Sequence, residues 1–418
     1  MADYETAQKN NGSKEIGELI QQRLNQFDDD TALQRPEGLV VHELDWASVI
    51  VTELLGKGTF CTVKRVSLAA EPGRVYSLKQ LDPRIFAREK SFRKGALDLA
   101  LEAKLLSHLY HPNIIQIHGV RKGFVANSIK SKDKPYFIVL DYLATTLVTV
   151  LEKWKQAEKG LTRLQPKAKT SLKLLNRVES TALGIAKGME YLHSKGIIFR
   201  DLKPQNIGFD LHGNVRIFDF GVAREMVQVR RQGEKLGFTG TPRYMANEVG
   251  AGEPYGLPAD VYSFGILLWQ ICTLRQPFHR MNNLDDYQVS VVTDNARPPL
   301  APVPSSRLAH IMQMCWNPLP RSRPGFSEVC AKLERYVSDT YASMRSRGRR
   351  QRWSRRSISE IHDKLEHQHD QLLKWFEQHK SDEISVGYSD DGSNHSSYAQ
   401  PLINGKFLTE TFQVSAPR

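Results

Sequence analysis

The residues best suited to chemistry are three polar side chains in one short run, Phe199-Arg200-Asp201-Leu202-Lys203-Pro204-Gln205-Asn206. A loop aspartate can accept the proton of a hydroxyl, and a lysine two residues on can neutralise a phosphoryl group. An asparagine five residues after the aspartate can reach a metal ion. The following run, VRIFDFG, reads as a strand ending in Asp219-Phe220-Gly221 and offers a second hard-oxygen ligand suited to Mg²⁺. Upstream, Lys79 can donate to phosphate as a point charge, with Glu102 on a later helix to hold its ammonium. Further upstream, Gly56-Lys57-Gly58-Thr59-Phe60-Cys61-Thr62-Val63 would let the backbone approach phosphate oxygens, and Val63 can cover a flat purine. Each feature alone has a plainer reading. A Gly-x-Gly turn also joins ordinary hairpins, a strand lysine can snorkel, and a helix glutamate can be solvated.

The elements that must position these groups follow from hydrophobic periodicity. VIVTELLGKGTFCTVKRVSLA reads as two β-branched runs about a glycine turn, and RVYSLKQL as a third strand carrying Lys79. ALDLALEAKLLSHL is apolar on one face and reads as a helix carrying Glu102. YHPNIIQIHGV and PYFIVLDYL supply two further strands. After Leu143 the 3.6-residue period dominates, in LVTVLEKWKQAEKG, SLKLLNRVESTALGIAKGMEYLHSKG and DVYSFGILLWQICTL.

Taken in order, the glycine loop, strand lysine, helix glutamate, catalytic-type loop and Asp-Phe-Gly resemble the signature set of the eukaryotic-type protein kinases. The resemblance continues through Gly240-Thr241-Pro242-Arg243-Tyr244-Met245-Ala246-Asn247-Glu248, DVYSFGILLW and RSRPGF, and covers about 70% of the chain. It implies an α+β bilobal fold, with a small antiparallel five-stranded lobe plus one helix and a larger, mainly helical lobe. The division expected is an N-terminal polar arm over 1–45, the small lobe over 46–143, the large lobe over 144–338, and a basic run, short amphipathic helix and tail over 339–418.

The resemblance also implies roles. Asp201 and Lys203 would be catalytic, and Asn206 and Asp219 would hold Mg²⁺. Gly56, Lys57, Gly58, Val63, Lys79, Glu102, Leu140, Asp141 and Leu143 would bind ATP, with Leu140 at the gatekeeper position and Asp141 to Leu143 forming the hinge. Asp260 would anchor the catalytic loop and Arg323 would pair with Glu248. Leu106, Ile117, Phe199 and Phe220 match the family's internal spine. The run Asp-Leu-Lys-Pro-x-Asn is typical of serine/threonine enzymes, and the run CWNPLPRSRP is similar to the tyrosine-kinase-like group. The implied activity is transfer of the ATP γ-phosphoryl group to protein serine or threonine in intracellular signalling. A pseudokinase scaffold and a dual-specificity or tyrosine kinase are the alternatives.

The chain departs from the family at four positions. Cys61 replaces the third glycine of the loop, Ser77 an alanine, Phe199 a histidine and Asn247 a proline, the last implying a less stiff segment. Arg200 suggests control by an anion on the activation segment, for which Thr239 is the candidate, while Thr241 is expected to order the substrate site. Ser354, Ser357 and Ser359 lie within or just after a run with seven arginines, Arg345 to Arg356, and are candidate sites for a basic-directed kinase.

Composition bounds the rest. Hydrophobic residues make up 40% and charged residues 25% of 418 residues, a globular balance, and no run is long enough to span a membrane. The net charge of +12 is concentrated in the arginine run, whose one aromatic residue, Trp353, makes a poor stacking platform, so no nucleic-acid partner is expected. Four scattered cysteines without CxxC spacing fit a reducing compartment, and the expected setting is the cytoplasm or the nucleus. Ile358, Ile361, Leu365, Gln368, Leu372 and Trp375 form a weak heptad seam suited to weak self-association. At the other end, Leu19, Ile20, Leu24 and Phe27 suggest one or two helical turns within the N-terminal arm.

Overall fold

A computed structural model describes residues 2–123, 135–159, 167–233 and 235–350. Ser354, Ser357, Ser359 and the heptad seam lie outside the described residues. The chain forms two compact units. The first takes in Met1–Tyr142 and Asp219–Glu234, and the second Leu143–Phe218 and the described residues from Lys235 on. The first division thus falls one residue before the boundary read from the sequence, and the Asp-Phe-Gly stretch groups with the strand unit.

The first unit is built on a six-stranded sheet: β1 (His42–Leu44), β2 (Val49–Lys57), β3 (Cys61–Leu68), β4 (Glu71–Leu81), β5 (Ile117–Arg121) and β6 (Phe137–Asp141), in the order β1-β5-β6-β4-β3-β2. Five strands were expected. The sixth, β1, is three residues long, too short to show alternation, and pairs in parallel with β5. All other pairs are antiparallel. Val66, Leu68, Tyr76, Leu78, Phe137 and Val139 form a buried cluster against Trp46 and Val49.

Helix α2 (Glu89–Leu106) buries Phe92, Ala96, Leu99, Ala100, Ala103 and Leu106. Their spacing of three and four residues is one helical face, and Glu102 is the charged residue buried with them. Helix α1 (Ala2–Asp30) is 29 residues long, where one or two turns were expected. It packs on α2 and on a short helix, Met226–Arg231.

In the second unit, β7 (Thr145–Thr146), β8 (Ile207–Phe209) and β9 (Val215–Ile217) form a small antiparallel sheet. Around it lie α3 (Leu147–Lys159), α4 (Lys167–Arg177), α5 (Leu183–Ser194), α6 (Pro258–Thr273), α7 (Ser306–Cys315) and α8 (Phe326–Arg350). Helix α6 buries residues on all sides, as its near-continuous apolar sequence requires. Helix α8 packs on α5 and carries the chain into the arginine run.

Candidate active site

In the first unit, sheet register decides which side chains share a face. Val63 pairs with Lys79, Ser77 with Leu140 and Lys79 with Ile138, so Val63, Ser77, Lys79, Ile138 and Leu140 lie on one face. Gly56 pairs with Val63 and Lys57 with Thr62, which places the glycine turn over the end of that face. The turn is tight, with the Gly58 amide donating to the Cys61 carbonyl at 2.6 Å. The loop is fastened to α2: a Cβ at Gly95 would lie 2.7 Å from Phe60 Cβ, so only glycine admits that ring, and Lys94 Nζ lies 5.3 Å from the ring centre. A glycine within a helix costs about 1 kcal/mol relative to alanine, and the close approach of Phe60 accounts for it here.

Lys79 Nζ donates to Glu102 Oε2 at 2.7 Å and to Asp219 Oδ1 at 3.0 Å. Burial pulls the ammonium down, but the two carboxylates outweigh it and hold the pKa well above the usual lysine value. Glu102 moves up from the ordinary carboxylate range because its burial outweighs the attraction of Lys79. Its second oxygen accepts from the Phe220 amide at 3.3 Å. Asp219 sits at φ 68°, a left-handed conformation sparsely populated by non-glycine residues. Cys61 keeps some surface, yet burial pushes its thiol up to about 12, opposite to what a redox-reactive cysteine needs. Asp141 directs its carboxylate to His118 Nε2 (2.7 Å) and the Gln116 amide (3.0 Å), a tie to β5 that the sequence did not announce.

In the second unit, Asp201, Lys203 and Asn206 are all buried. Lys203 Nζ lies 2.8 Å from Asp201 Oδ2. Asn206 Nδ2 donates to the Asp201 carbonyl at 2.9 Å and to its carboxylate at 3.0 Å. Thr241 closes the network: its hydroxyl donates to Asp201 Oδ1 and accepts from Lys203, each at 2.8 Å. The loop is held from below by Asp260, which accepts from the Phe199 and Arg200 amides, each at 2.8 Å, and lies 3.0 Å from His193 Nε2. Arg200, like Asp219, is left-handed, at φ 72°. Gly240 has φ +120°, and a Cβ there would lie 2.6 Å from the Arg200 carbonyl, so glycine is required beside Thr241. A left-handed non-glycine residue next to Asp201 is the kind of strain that persists where surrounding structure over-determines it.

Arg323 grips Glu248 with two bonds, 2.6 and 2.8 Å, both side chains being buried. Asn247, expected to loosen its segment, instead donates to the Pro318 carbonyl at 3.2 Å and lies 3.3 Å from Arg323 Nη2, so the amide ties down what a proline would stiffen. Tyr244 is buried with its hydroxyl on Gln270 at 2.6 Å. Thr239 is partly exposed. Leu143 packs where a Cβ on Gly208 would strike it. Leu106, Ile117, Phe199 and Phe220 are each fully or almost fully buried.

For a cation, the first unit offers the Asp219 carboxylate. The second offers Asn206, whose Nδ2 is committed to Asp201, leaving its carbonyl oxygen as the ligand. Among the described residues, no group of three or more His, Cys, Asp and Glu could form an all-protein metal cage. The Asp219 carboxylate and the Asn206 carbonyl each offer a hard oxygen of the kind Mg²⁺ takes as a ligand. Sequence reasoning missed Glu225 and Thr31, which meet in the first unit at 2.7 Å. No local pattern signals their meeting, since 194 residues separate them.

Comparison with known proteins agrees with this geometry. Residues 49–333 match the family described as Protein kinase domain. The chain is 36% identical over 250 residues to the serine/threonine/tyrosine-protein kinase HT1 of Arabidopsis thaliana, covering 60% of this chain and 57% of that protein. It is 30% identical over 305 residues to the dual specificity protein kinase shkA of Dictyostelium discoideum, 71% of this chain and 51% of that one. To the serine/threonine-protein kinase STY46 of Arabidopsis thaliana it is 31% identical over 285 residues, covering 68% and 42%. The chain thus spans little more than half the length of these relatives, or less. Membership in the family implies ATP as substrate and Mg²⁺ as the usual cofactor. With its motifs in register and the matched region covering most of its length, this chain belongs to the protein kinase family.

Proposed function

We propose that the chain is an active protein serine/threonine kinase of the tyrosine-kinase-like group, transferring the γ-phosphoryl group of ATP to protein hydroxyls. The observation that carries the reading is the network joining Asp201, Lys203, Asn206 and Thr241. In it Asp201 Oδ2 and Oδ1 are both held, so the carboxylate is oriented before any substrate arrives. In the reaction the substrate oxygen bonds to the γ-phosphorus, the bond from that phosphorus to the ADP oxygen breaks, and the hydroxyl proton passes to Asp201. Lys203 neutralises charge on the transferred group. Lys79, held cationic by Asp219 and Glu102, would bind the α/β phosphates, as the family resemblance implies. Bound Mg²⁺, held by Asn206 and Asp219, would neutralise phosphate charge. Val63, Leu140 and the hinge residues Asp141 to Leu143 would enclose adenine, and Gly56, Lys57 and Gly58 would cover the phosphates.

Lys203, two residues after Asp201, favours serine and threonine as acceptors. A dual-specificity enzyme is the second reading, supported by likeness to relatives bearing that description and to a serine/threonine/tyrosine-protein kinase. A scaffold without turnover is disfavoured because the four polar positions that turnover needs, Lys79, Asp201, Asn206 and Asp219, are all present. An intracellular setting, cytoplasmic or nuclear, is supported by four free cysteines, three of them buried. Transfer of γ-labelled phosphate to a generic basic protein, followed by phosphoamino acid analysis, tests the proposal. Label in phosphoserine and phosphothreonine, abolished by Asp219→Asn, is expected. Equal labelling of phosphotyrosine would establish the second reading, and no labelling by the parent chain would leave the scaffold.

A further inference from the structure

Lys79 depends on two carboxylates that repel each other and sit on different elements: Glu102 on α2, and Asp219 just ahead of the segment that leads to Met226–Arg231. Helix α1 touches both elements. Its buried stripe, Ile16, Ile20 and Phe27, follows helical spacing, with Ile20 completely covered. Toward α2, Asp28 pairs with Lys104 at 2.7 Å and the Phe27 ring lies 5.6 Å from that of His108. Toward the segment after Asp219, the turn that ends α1 binds a buried carboxylate. Glu225, 2% exposed, accepts from the Thr31 hydroxyl at 2.7 Å, the Ala32 amide at 2.8 Å and Gln228 Nε2 at 2.9 Å. The Thr31 hydroxyl is itself oriented by the Leu33 amide, which donates to it at 3.0 Å. Asp30 adds two more ties, its carbonyl accepting from Arg231 at 2.8 Å and its carboxylate from Gln232 at 3.0 Å.

We propose that α1 and the turn after it, Phe27 to Ala32, form a positioning clamp that sets the two carboxylates around Lys79, with Glu225 and Thr31 as its key positioning residues. A buried carboxylate needs saturating hydrogen bonds, and the α1 turn supplies two of the three donors to Glu225. Losing the turn therefore frees the segment after Asp219 and releases Lys104 on α2 in one event. The clamp deepens the kinase reading and rests on it, because its effect is exerted through Lys79.

The test uses the full chain with Thr31→Val, Thr31→Ser and Glu225→Gln, read by steady-state kinetics and hydrogen exchange. Thr31→Val and Glu225→Gln should lower kcat about tenfold while KM for ATP moves less than about threefold. Exchange should quicken in Glu89–Leu106 and Met226–Arg231 and stay unchanged in Pro258–Thr273, and Thr31→Ser should restore both readouts. The proposal is overturned if both variants keep kcat within about twofold of the parent, or if Pro258–Thr273 loses protection equally, which marks global loosening. If the parent transfers no phosphate, the kinase reading fails, and exchange alone then decides the clamp: quickening confined to the two segments supports it, and unchanged exchange removes it.

Discussion

Thr241→Val is the substitution whose consequence can be worked through most completely. It removes a donor to Asp201 and an acceptor from Lys203, both at 2.8 Å and both to groups with less than 5% of their surface exposed. Hydrogen bonds to charged groups contribute about 1.5–3 kcal/mol each. The direct Asp201–Lys203 contact at 2.8 Å survives and recovers part of the loss. A net loss of about 2–3 kcal/mol in the transition state corresponds to a fall in kcat of roughly 30- to 150-fold. Valine matches threonine in shape, so the segment after Gly240 stays packed, and KM for ATP should change less than about threefold. Steady-state phosphate transfer with Thr241→Val and Thr241→Ser is the assay, the serine variant retaining the hydroxyl and most of the activity. A valine variant within about threefold of the parent, or a serine variant as impaired as valine, would refute the reasoning.

Other consequences follow from single contacts. Arg323→Ala leaves the Glu248 carboxylate buried without its two bonds and should destabilise the fold by about 3–5 kcal/mol, measured as a shift of the urea midpoint at constant slope; a shift worth less than about 1 kcal/mol would contradict a structural role for the pair. Gly240→Ala forces a Cβ to 2.6 Å from the Arg200 carbonyl at a φ that alanine rarely adopts, and should cut phosphate transfer with the chain still folded by circular dichroism; parental activity would show that the loop shifts freely. At pH 8 the Cys61 thiol, with its pKa pushed up to about 12, should alkylate roughly a thousandfold more slowly than a thiol at the reference value of 9.0. Only the thiolate reacts, so its rate should still climb about tenfold per pH unit between pH 9 and 11; mass-spectrometric kinetics that level off near pH 9 would disprove the shift.

The contact of Lys79 with Glu102, and the grouping of Asp201 with Lys203 and Asn206, were legible because residue type and order carry the chemistry directly. The sheet was legible for the same kind of reason: strands of five residues or more show their period, and the register of Val63, Lys79 and Leu140 follows from it. Helix α1 was not. Its sequence contains Asn10, Asn11, Gly12 and Ser13, residues that disfavour helix in isolation, and Glu18, Gln22, Arg23, Asn25, Asp28 and Asp29 are exposed on it. Burial of Ile16, Ile20 and Phe27 against α2 and its neighbour outweighs that preference. Asn247 taught a related lesson. Read as a missing proline it implied slackness, but its side chain reaches Pro318, 71 residues away, a contact no local rule contains.

The most direct test of the central claim is single-turnover transfer from γ-labelled ATP to a serine-containing peptide by the parent chain and by Asp201→Asn, with nucleotide affinity measured in parallel. ATP should bind within about threefold in both proteins, and the substitution should lower phosphoryl transfer at least about a hundredfold. Equal transfer by the two proteins would contradict the claim.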